Sequence, residues 1–421
     1  MEKYIKRNVE DVVLSLAKAF PVIMITGPRQ VGKSTLLHFI ASGKERNIKR
    51  VTFDNIRDRE LAISDPQLFL ETYGYPVIID EFQYAPNLLF YIKIKVDEDR
   101  IRRLESKERN DAMYYLTGSQ RFLTMEKVSE SLAGRVGIID LYGLSDREIQ
   151  NKPPKLFIPE IEILRKEAVN NQEVSLIQTY NRIFKGSFPE TYKNKDIPLN
   201  SYFQSYVKTY IEKDIRKIIN ITDEIKFMKF MVSVAARSGQ ELNLNEIAND
   251  AEISNPTANV WLSILVNTGL VVLLEPYTKN IIKRVVKRPK IYFMDTGLAC
   301  YLTKYPSAEI LEASPYAGHI FETYVISEVI KSFSNNGLDP KRHLHYYRDN
   351  KQNEIDLIID YNDKLYLIEI KKSKNPSKES IKSFKVLDET KQKIALGVVL
   401  CMVNSIFPLD KNNYCVPISY I

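Results

Sequence analysis

An apolar run, Val22-Ile23-Met24-Ile25, leads into Gly27-Pro28-Arg29-Gln30-Val31-Gly32-Lys33-Ser34, and a helix-forming stretch follows from Ser34 to Ile40. Strand, glycine loop and helix are the context in which G-x-x-x-x-G-K-[ST] acquires meaning. The glycines let backbone N–H groups turn inward, and the helix N-terminus adds partial positive charge, so the loop suits a polyphosphate. Lys33 is placed to reach the β- and γ-phosphates and Ser34 to ligate Mg²⁺, with Gly27, Pro28, Arg29, Gln30, Val31, Gly32 and Thr35 completing the ATP cradle. A chance match in a glycine-bearing turn is the competing reading, and the correct flanks argue against it.

A second apolar run, Pro76-Val77-Ile78-Ile79, ends in Asp80-Glu81. A buried strand would deliver these acids beside the loop, Asp80 to hold Mg²⁺ and Glu81 to orient or deprotonate the attacking water. A third run, Met113-Tyr114-Tyr115-Leu116, ends in Thr117-Gly118-Ser119-Gln120. Ser119 there either senses the γ-phosphate from the neighbouring strand or belongs to a plain turn. Glu130-Ser131-Leu132-Ala133-Gly134-Arg135 closes a helix before the strand Val136-Gly137-Ile138-Ile139. Arg135 is the first candidate for a transition-state cation, in cis or offered to a neighbour, with Arg29 and Arg121 as competitors.

Alternating strands and helices with the loop at the first β–α turn imply a parallel α/β sheet. This order of motifs resembles the AAA-type ATPases. More closely, Gly-Pro-Arg-Gln-Val-Gly-Lys-Ser-Thr, Ile-Ile-Asp-Glu-Phe-Gln, Leu-Thr-Gly-Ser-Gln and Ser-Leu-Ala-Gly-Arg resemble the archaeal and bacterial ATPase family fused to a C-terminal domain of unknown function. The resemblance spans nearly the whole chain and implies a P-loop sheet followed by that domain. Gln120 departs from it, standing where a small hydroxyl residue is more usual, which leaves the sensor open.

At 421 residues the chain is long enough for two or three domains, each with a core. Its net charge of +7 permits a nucleic-acid partner without demanding one. Cys300, Cys401 and Cys415 lack any C-x-x-C spacing and read as reduced core residues of a cytoplasmic protein. No apolar run approaches a membrane span, so no membrane partner is expected. The four histidines form no metal cluster, and His343 and His345 read as strand residues.

Four regions are expected: a P-loop domain over 1–150, helical linker over 151–225, winged helix-turn-helix over 226–298 and a nuclease-like α/β domain over 299–421. In the linker, Tyr202 to Ile219 reads as a helix with Tyr206, Tyr210 and Asp214 on one packing face. In the third region, Phe227–Ala236 forms a first helix, Asn243-x-x-Glu246 starts a second and Ser254 before Pro256 a third. That third helix is expected to turn Val260, Leu262, Ile264 and Leu265 inward, with Trp261 at its edge. Gly269 stops it, and Val271-Val272-Leu273-Leu274 opens a hairpin carrying Lys279, Lys283, Arg284, Lys287, Arg288 and Lys290 without an acid among them. Such a wing could follow a DNA backbone, with Asn255, Thr257 and Asn259 facing a groove. A protein–protein module with a solvated basic hairpin is the other reading.

The last region begins with an amphipathic helix from Gly318 to about Phe333 and continues through three strands, a helix near Lys378–Leu387 and two more strands. Asp356 on one strand and Glu369-x-Lys371 on the next match the PD-(D/E)xK nuclease arrangement. Period-two alternation puts Glu369 and Lys371 on one face. Asp356 and Glu369 would hold a metal ion, Lys371 would position water or stabilise the pentavalent phosphate, and Glu322 would assist from the helix. Cleavage and mere binding both remain open, since fold does not give function.

These readings converge on an ATP- and Mg²⁺-dependent ATPase whose nucleotide state controls a C-terminal half acting on DNA. The alternative is a nucleotide switch that binds a protein partner, with a silent nuclease-like scaffold. Self-association is left open. A small-molecule kinase fits less well, because the chain lacks an acceptor lid and carries two extra domains.

Overall fold

The computed structural model describes residues 4–43, 48–106, 111–118, 131–169, 173–210, 224–278, 288–387 and 392–421. Ser119, Gln120, Arg121, Glu130, Asp214, Lys279, Lys283, Arg284 and Lys287 lie outside these residues. Near the N-terminus, β1 (Val22–Thr26), β2 (Lys49–Thr52), β3 (Val77–Asp80), β4 (Tyr114–Thr117) and β5 (Val136–Asp140) pair in the order β2-β3-β4-β1-β5. Every pairing is parallel. Strands β1, β3 and β4 are buried on both faces, as a sheet covered by helices on each side requires. Side chains of β1 alternate between two cores: Val22 and Met24 enter one, Ile23 and Ile25 the other. Because β1 and β3 point the same way, the loop after Thr26 and the acid pair after Ile79 emerge at one end of the sheet.

Residues 161–169, 176–185, 189–193 and 199–210 form the linker helices, and Tyr206 and Tyr210 are buried and stacked as packing residues. Helices Glu224–Ala236, Leu244–Asp250 and Asn255–Asn267 follow, then an antiparallel sheet in the order β6 (Gln240–Glu241), β8 (Lys290–Phe293), β7 (Val271–Leu274). Ser254 caps the third helix through the Thr257 N–H at 3.2 Å, whereas the Asn243 amide bonds Glu246 and not the backbone. The expected faces of that third helix are partly reversed. Trp261 is buried against Phe227 and Phe230, and Val260 is 45% exposed. At 3.6 residues per turn Ala258, Trp261, Leu262 and Leu265 share one face, and Val260 falls opposite.

The last region places helix Ala317–Ser334 before β9 (Leu344–Arg348), β10 (Glu354–Tyr361) and β11 (Lys364–Lys371). A 3₁₀ helix (Lys378–Leu387), β12 (Lys393–Cys401), β13 (Phe407–Pro408) and β14 (Asn413–Pro417) complete a mixed sheet ordered β13-β14-β12-β11-β10-β9. His345 is a buried residue of β9, but His343 ends a short helix, Pro340–His343. Helix 317–334 is not amphipathic: it is buried on nearly every side. The reason is visible in the cores, since one apolar cluster runs from Val9 through Tyr206, Leu265 and Ile330 to Tyr420. All four sequence regions therefore contribute to a shared interior. The three cysteines are buried and form no disulfide, and no described helix is long and apolar enough to cross a membrane.

Two buried polar knots tie this interior to the phosphate loop. Arg7, 3% exposed, donates to Glu148 Oε1 at 2.9 Å, to the Val31 carbonyl at 2.7 Å and to the Tyr142 carbonyl at 2.8 Å. Glu148 also closes a capping box with Ser145 and so starts the short helix Asp146–Ile149. In that helix the Asp146 carboxylate meets Arg182 and the Tyr324 hydroxyl, while its N–H donates to Glu328 at 2.8 Å. Lys331 joins Glu328 at 2.8 Å and the Leu144 carbonyl at 3.1 Å. Burial alone would raise the Asp146 carboxyl, but the charge of Arg182 and the Tyr324 hydroxyl hold it below its ordinary value.

Removing one partner of a buried ion pair strands the other charge. Arg7→Met should therefore lower stability by roughly 3–5 kcal/mol in chemical denaturation of the full chain, with part recovered in Arg7→Met/Glu148→Gln. For Asp146 the depressed folded value means its contribution is present above about pH 3.8 and lost as pH falls through the folded value. Asp146→Asn should flatten the acid limb of a stability–pH curve.

Candidate nucleotide site and carboxylate cluster

The phosphate loop is shaped by backbone that only glycine accepts. Gly27 has φ 140°, and a Cβ there would lie 2.0 Å from the Leu141 carbonyl oxygen; Gly32 has φ 94°. Lys33 Nζ lies across the loop, donating to the Gly27 carbonyl at 2.9 Å and the Pro28 carbonyl at 2.8 Å. Ser34 Oγ donates to Asp80 Oδ1 at 2.9 Å, so the expected metal pair is in contact. Mg²⁺ takes few protein oxygens in such sites and relies on phosphate and water for the rest, so this hydroxyl–carboxylate pair suits it.

Around Asp80 the structure adds two groups that sequence reasoning did not assign. Thr117, the last residue of β4, donates to Asp80. Arg50 of β2 stands 4.0 Å from its second oxygen. Thr117 is the polar residue that the neighbouring strand brings to this acid among the described residues, with Ser119 outside them. Glu81 adopts a left-handed backbone with φ 56°, which a non-glycine residue holds only when its surroundings impose it, and its carboxylate meets Gln83.

Arg29, Gln30, Gly32, Lys33, Ser34, Thr35 and Glu81 line one cleft of about 560 Å³. The opposite wall comes from the linker: Pro189, Glu190, Lys193, Tyr202, Tyr206 and Thr209. Tyr202 donates to Gln30 Oε1 at 2.7 Å, and Pro28 packs on the turn at Gly269, whose added Cβ would meet it at 3.0 Å. A helical linker thus serves as half of the nucleotide cleft, a role its sequence did not signal.

Arg135 is placed elsewhere. It precedes β5 and hydrogen-bonds by backbone to Val22, at the sheet end opposite the loop. Its guanidinium grips Asp97 at 2.8 and 2.9 Å, so the structure does not bring it to its own loop.

In the last region Asp356, Glu369, Lys371 and Glu322 do come together, around a residue assigned otherwise by sequence. Lys290 reads from sequence as part of the basic wing, but it is 2% exposed, first in β8. Its ammonium lies 2.9 Å from Glu322, 2.5 Å from Glu354 and 3.9 Å from Asp356. Lys371 Nζ contacts Glu369 at 2.6 Å and lies 3.9 Å from the other Asp356 oxygen, which accepts from the Ile370 N–H at 2.8 Å. Glu369 Oε2 is buried without a hydrogen-bond partner. Burial, then the charge of Asp356, push the Glu369 carboxyl up to about 8 despite Lys371. Burial likewise raises Glu322 to about 7 against the pull of Lys290.

Among the described residues no group of three or more His, Cys, Asp or Glu side chains is arranged to hold a metal ion. Glu322, expected to assist Asp356 and Glu369 from the helix, instead faces Lys290. What remains is Asp356 with the unpartnered oxygen of Glu369, a hard-oxygen pair suited to one divalent ion.

The parallel sheet and its loop define an AAA-type P-loop nucleotide-binding domain, and residues 19–150 match the family described as AAA domain. Residues 177–309 and 317–421 match two domains of unknown function, DUF8612 and DUF4143. An uncharacterized protein of Mycobacterium tuberculosis is 26% identical over 362 residues, covering 85% of this chain and 71% of that one. Among solved structures, the Thermotoga maritima RuvB Holliday junction branch migration motor has 17% identity and a TM-score of 0.29, covering 66% of this chain and 92% of its own. The Aeropyrum pernix ORC2 protein, solved as ADPNP–ADP complexes, has 16% identity and a TM-score of 0.33, covering 72% and 91%.

Gly27→Ala should abolish binding of a fluorescent ATP analogue while the far-UV spectrum is retained, because the new methyl collides with the Leu141 carbonyl. Unchanged affinity would refute the loop geometry.

Proposed function

We propose that the chain binds ATP with Mg²⁺ and hydrolyses it, and that nucleotide state controls a C-terminal half that binds DNA. The contact of Ser34 with Asp80 carries the first part, since it supplies the metal oxygens beside Lys33. In this reading Lys33 would draw charge from the β- and γ-phosphates, Ser34 and Asp80 would hold Mg²⁺, and Glu81 would orient the attacking water. Bound Mg²⁺ supplies neutralisation of the developing phosphate charge. Residues from the linker wall exclude water from the cleft. Arg135, out of reach of its own loop, is retained only as a cation offered to a second copy of the chain.

Control of the C-terminal half is supported by the buried route from Val31 through Arg7, Glu148 and Asp146 to Glu328 on helix 317–334. Three helices followed by the β7–β8 hairpin support a winged helix-turn-helix, and helix 255–267 exposes Asn255, Asn259 and Ser263 with no acid on that face. Such a face suits the major groove. The Asp356, Glu369 and Lys371 cluster, with helix 317–334 and the strand order after it, supports a nuclease-like domain acting on phosphodiesters. A second reading, a switch for a protein partner, draws on one observation. Helix Leu88–Ser106 exposes Phe90, Ile94, Ile101 and Leu104 at helical spacing.

Lys33→Ala should abolish ATP turnover, and Glu81→Gln should bind ATP but trap it unhydrolysed. Turnover unchanged in both would refute the ATPase. Duplex DNA should stimulate turnover of the native chain, and Asn259→Asp should weaken DNA binding at least tenfold in a salt-dependent assay. No stimulation, with Asn259→Asp harmless and a protein captured through the helix 88–106 face, would transfer the reading to the protein-partner switch.

A further inference from the structure

Lys290 belongs by sequence to the three-helix region, yet its ammonium is the centre of the C-terminal carboxylate cluster. Backbone contacts put it there. The segment after β7 bonds to β9 through Tyr277 N–H to the Tyr346 carbonyl at 2.6 Å and Tyr346 N–H to the Glu275 carbonyl at 3.2 Å. The Tyr346 hydroxyl then holds the Arg288 carbonyl, which fixes the entry of β8 two residues before Lys290. The Lys290 ammonium also lies 5.7 Å from the Tyr346 ring centre.

Four carboxylates converge here: Glu322, Glu354, Asp356 and Glu369. Sites that hold two divalent ions for phosphodiester chemistry place them about 3.5–4 Å apart between shared carboxylates. In this chain Asp356 is shared in that sense, with Lys290 3.9 Å from one of its oxygens and Lys371 3.9 Å from the other. The two sides differ in access. Lys371 is 43% exposed in its side chain and neighbours the unpartnered Glu369 oxygen, whereas Lys290 is enclosed. An ammonium is a compact point charge with three donors, and it tolerates longer contacts than the near 2 Å that Mg²⁺ demands.

We infer that Lys290 is a built-in monovalent cation standing where a second divalent ion would sit, so that the cluster takes at most one divalent ion, at Asp356 and Glu369. The inference rests on reading the cluster as a metal-binding phosphodiester site. Lys290 is a positioning residue in this account: it holds Glu322 and Glu354, and the divalent ion and substrate meet Asp356, Glu369 and Lys371. The preceding module therefore completes the C-terminal site, and neither region contains the whole of it.

The test is Mn²⁺ stoichiometry by calorimetry and electron paramagnetic resonance on the full chain, without nucleotide, in an Asp80→Asn background that removes the loop's metal oxygen. With Lys290 present the expected uptake is no more than one ion, and two ions would overturn the inference. Lys290→Met should take up one further ion, because Glu322 loses its cation and Glu354 keeps only the longer contact with Arg348 at 3.5 Å. Lys290→Arg, which keeps the charge, should match the Lys290 parent. Equal uptake by the Lys290→Met variant and its parent would overturn the inference. If Lys290→Met is poorly folded, Mn²⁺ must raise its melting temperature more than that of the parent, and failure to do so would count equally against it. Loss of the single ion in Asp356→Ala tests the underlying metal site separately, since that outcome does not depend on Lys290.

Discussion

The structure hangs on the short helix Asp146–Ile149 and the charges buried on either side of it. Glu148 receives Arg7, which in turn holds the phosphate loop by the Val31 carbonyl; Asp146 receives Arg182 and Tyr324. Ion pairs this deep are expensive to desolvate, and geometry must be good for them to persist. Here each carboxylate accepts more than one hydrogen bond, and Glu148 serves Arg7, Asn8 and Ser145 together. A stretch of four residues thus fixes the N-terminal segment, the loop, the linker and the long C-terminal helix against one another. Apolar packing supplies the bulk of the interior, but it is non-directional, and these bonds set its register.

The nucleotide cleft follows the same plan. Its floor comes from the ends of β1 and β3, where parallel strands must deliver their loops. Its far wall comes from linker helices that carry no nucleotide motif. Tyr202 on Gln30 and Gly269 under Pro28 bring the linker and the three-helix region onto the loop from different directions. The loop is therefore shaped as much by later sequence as by its own glycines.

How much of this could be read from residues alone depends on the range of the interaction. The loop, Asp80-Glu81 and the strands bearing them were legible because local patterning dictates them: an apolar run, a glycine at positive φ, an acid at a strand end. Glu369 and Lys371 shared a side because pleating is strictly period two. Lys290 reads as solvated because it stands in a basic segment, and only the placement of β8 against helix 317–334 and the start of β10 reveals three carboxylates around it. By sequence helix 317–334 reads as amphipathic, because its glutamates and lysine look like a wet face. In fact Glu328 and Lys331 neutralise each other inside, and Glu322 meets Lys290. Arg7 gave no signal, since nothing local distinguishes it from Lys6. On helix 255–267 Leu262, Ile264 and Leu265 are buried as expected, and only Val260 and the adjacent Trp261, about 100° apart on the helix, trade places.

One continuous interior has a thermodynamic consequence. If loop, linker and C-terminal helix share a core and its polar joints, they open together more readily than apart, and the chain behaves as a single cooperative unit. A ligand that binds only the folded loop then raises the free energy of every opening that breaks the loop, including those that would expose β10 and β11. Slow amide exchange in strands far from the phosphates would thus report occupancy of the loop. Linkage of this kind rests on shared stability alone and needs no moving part between the two ends.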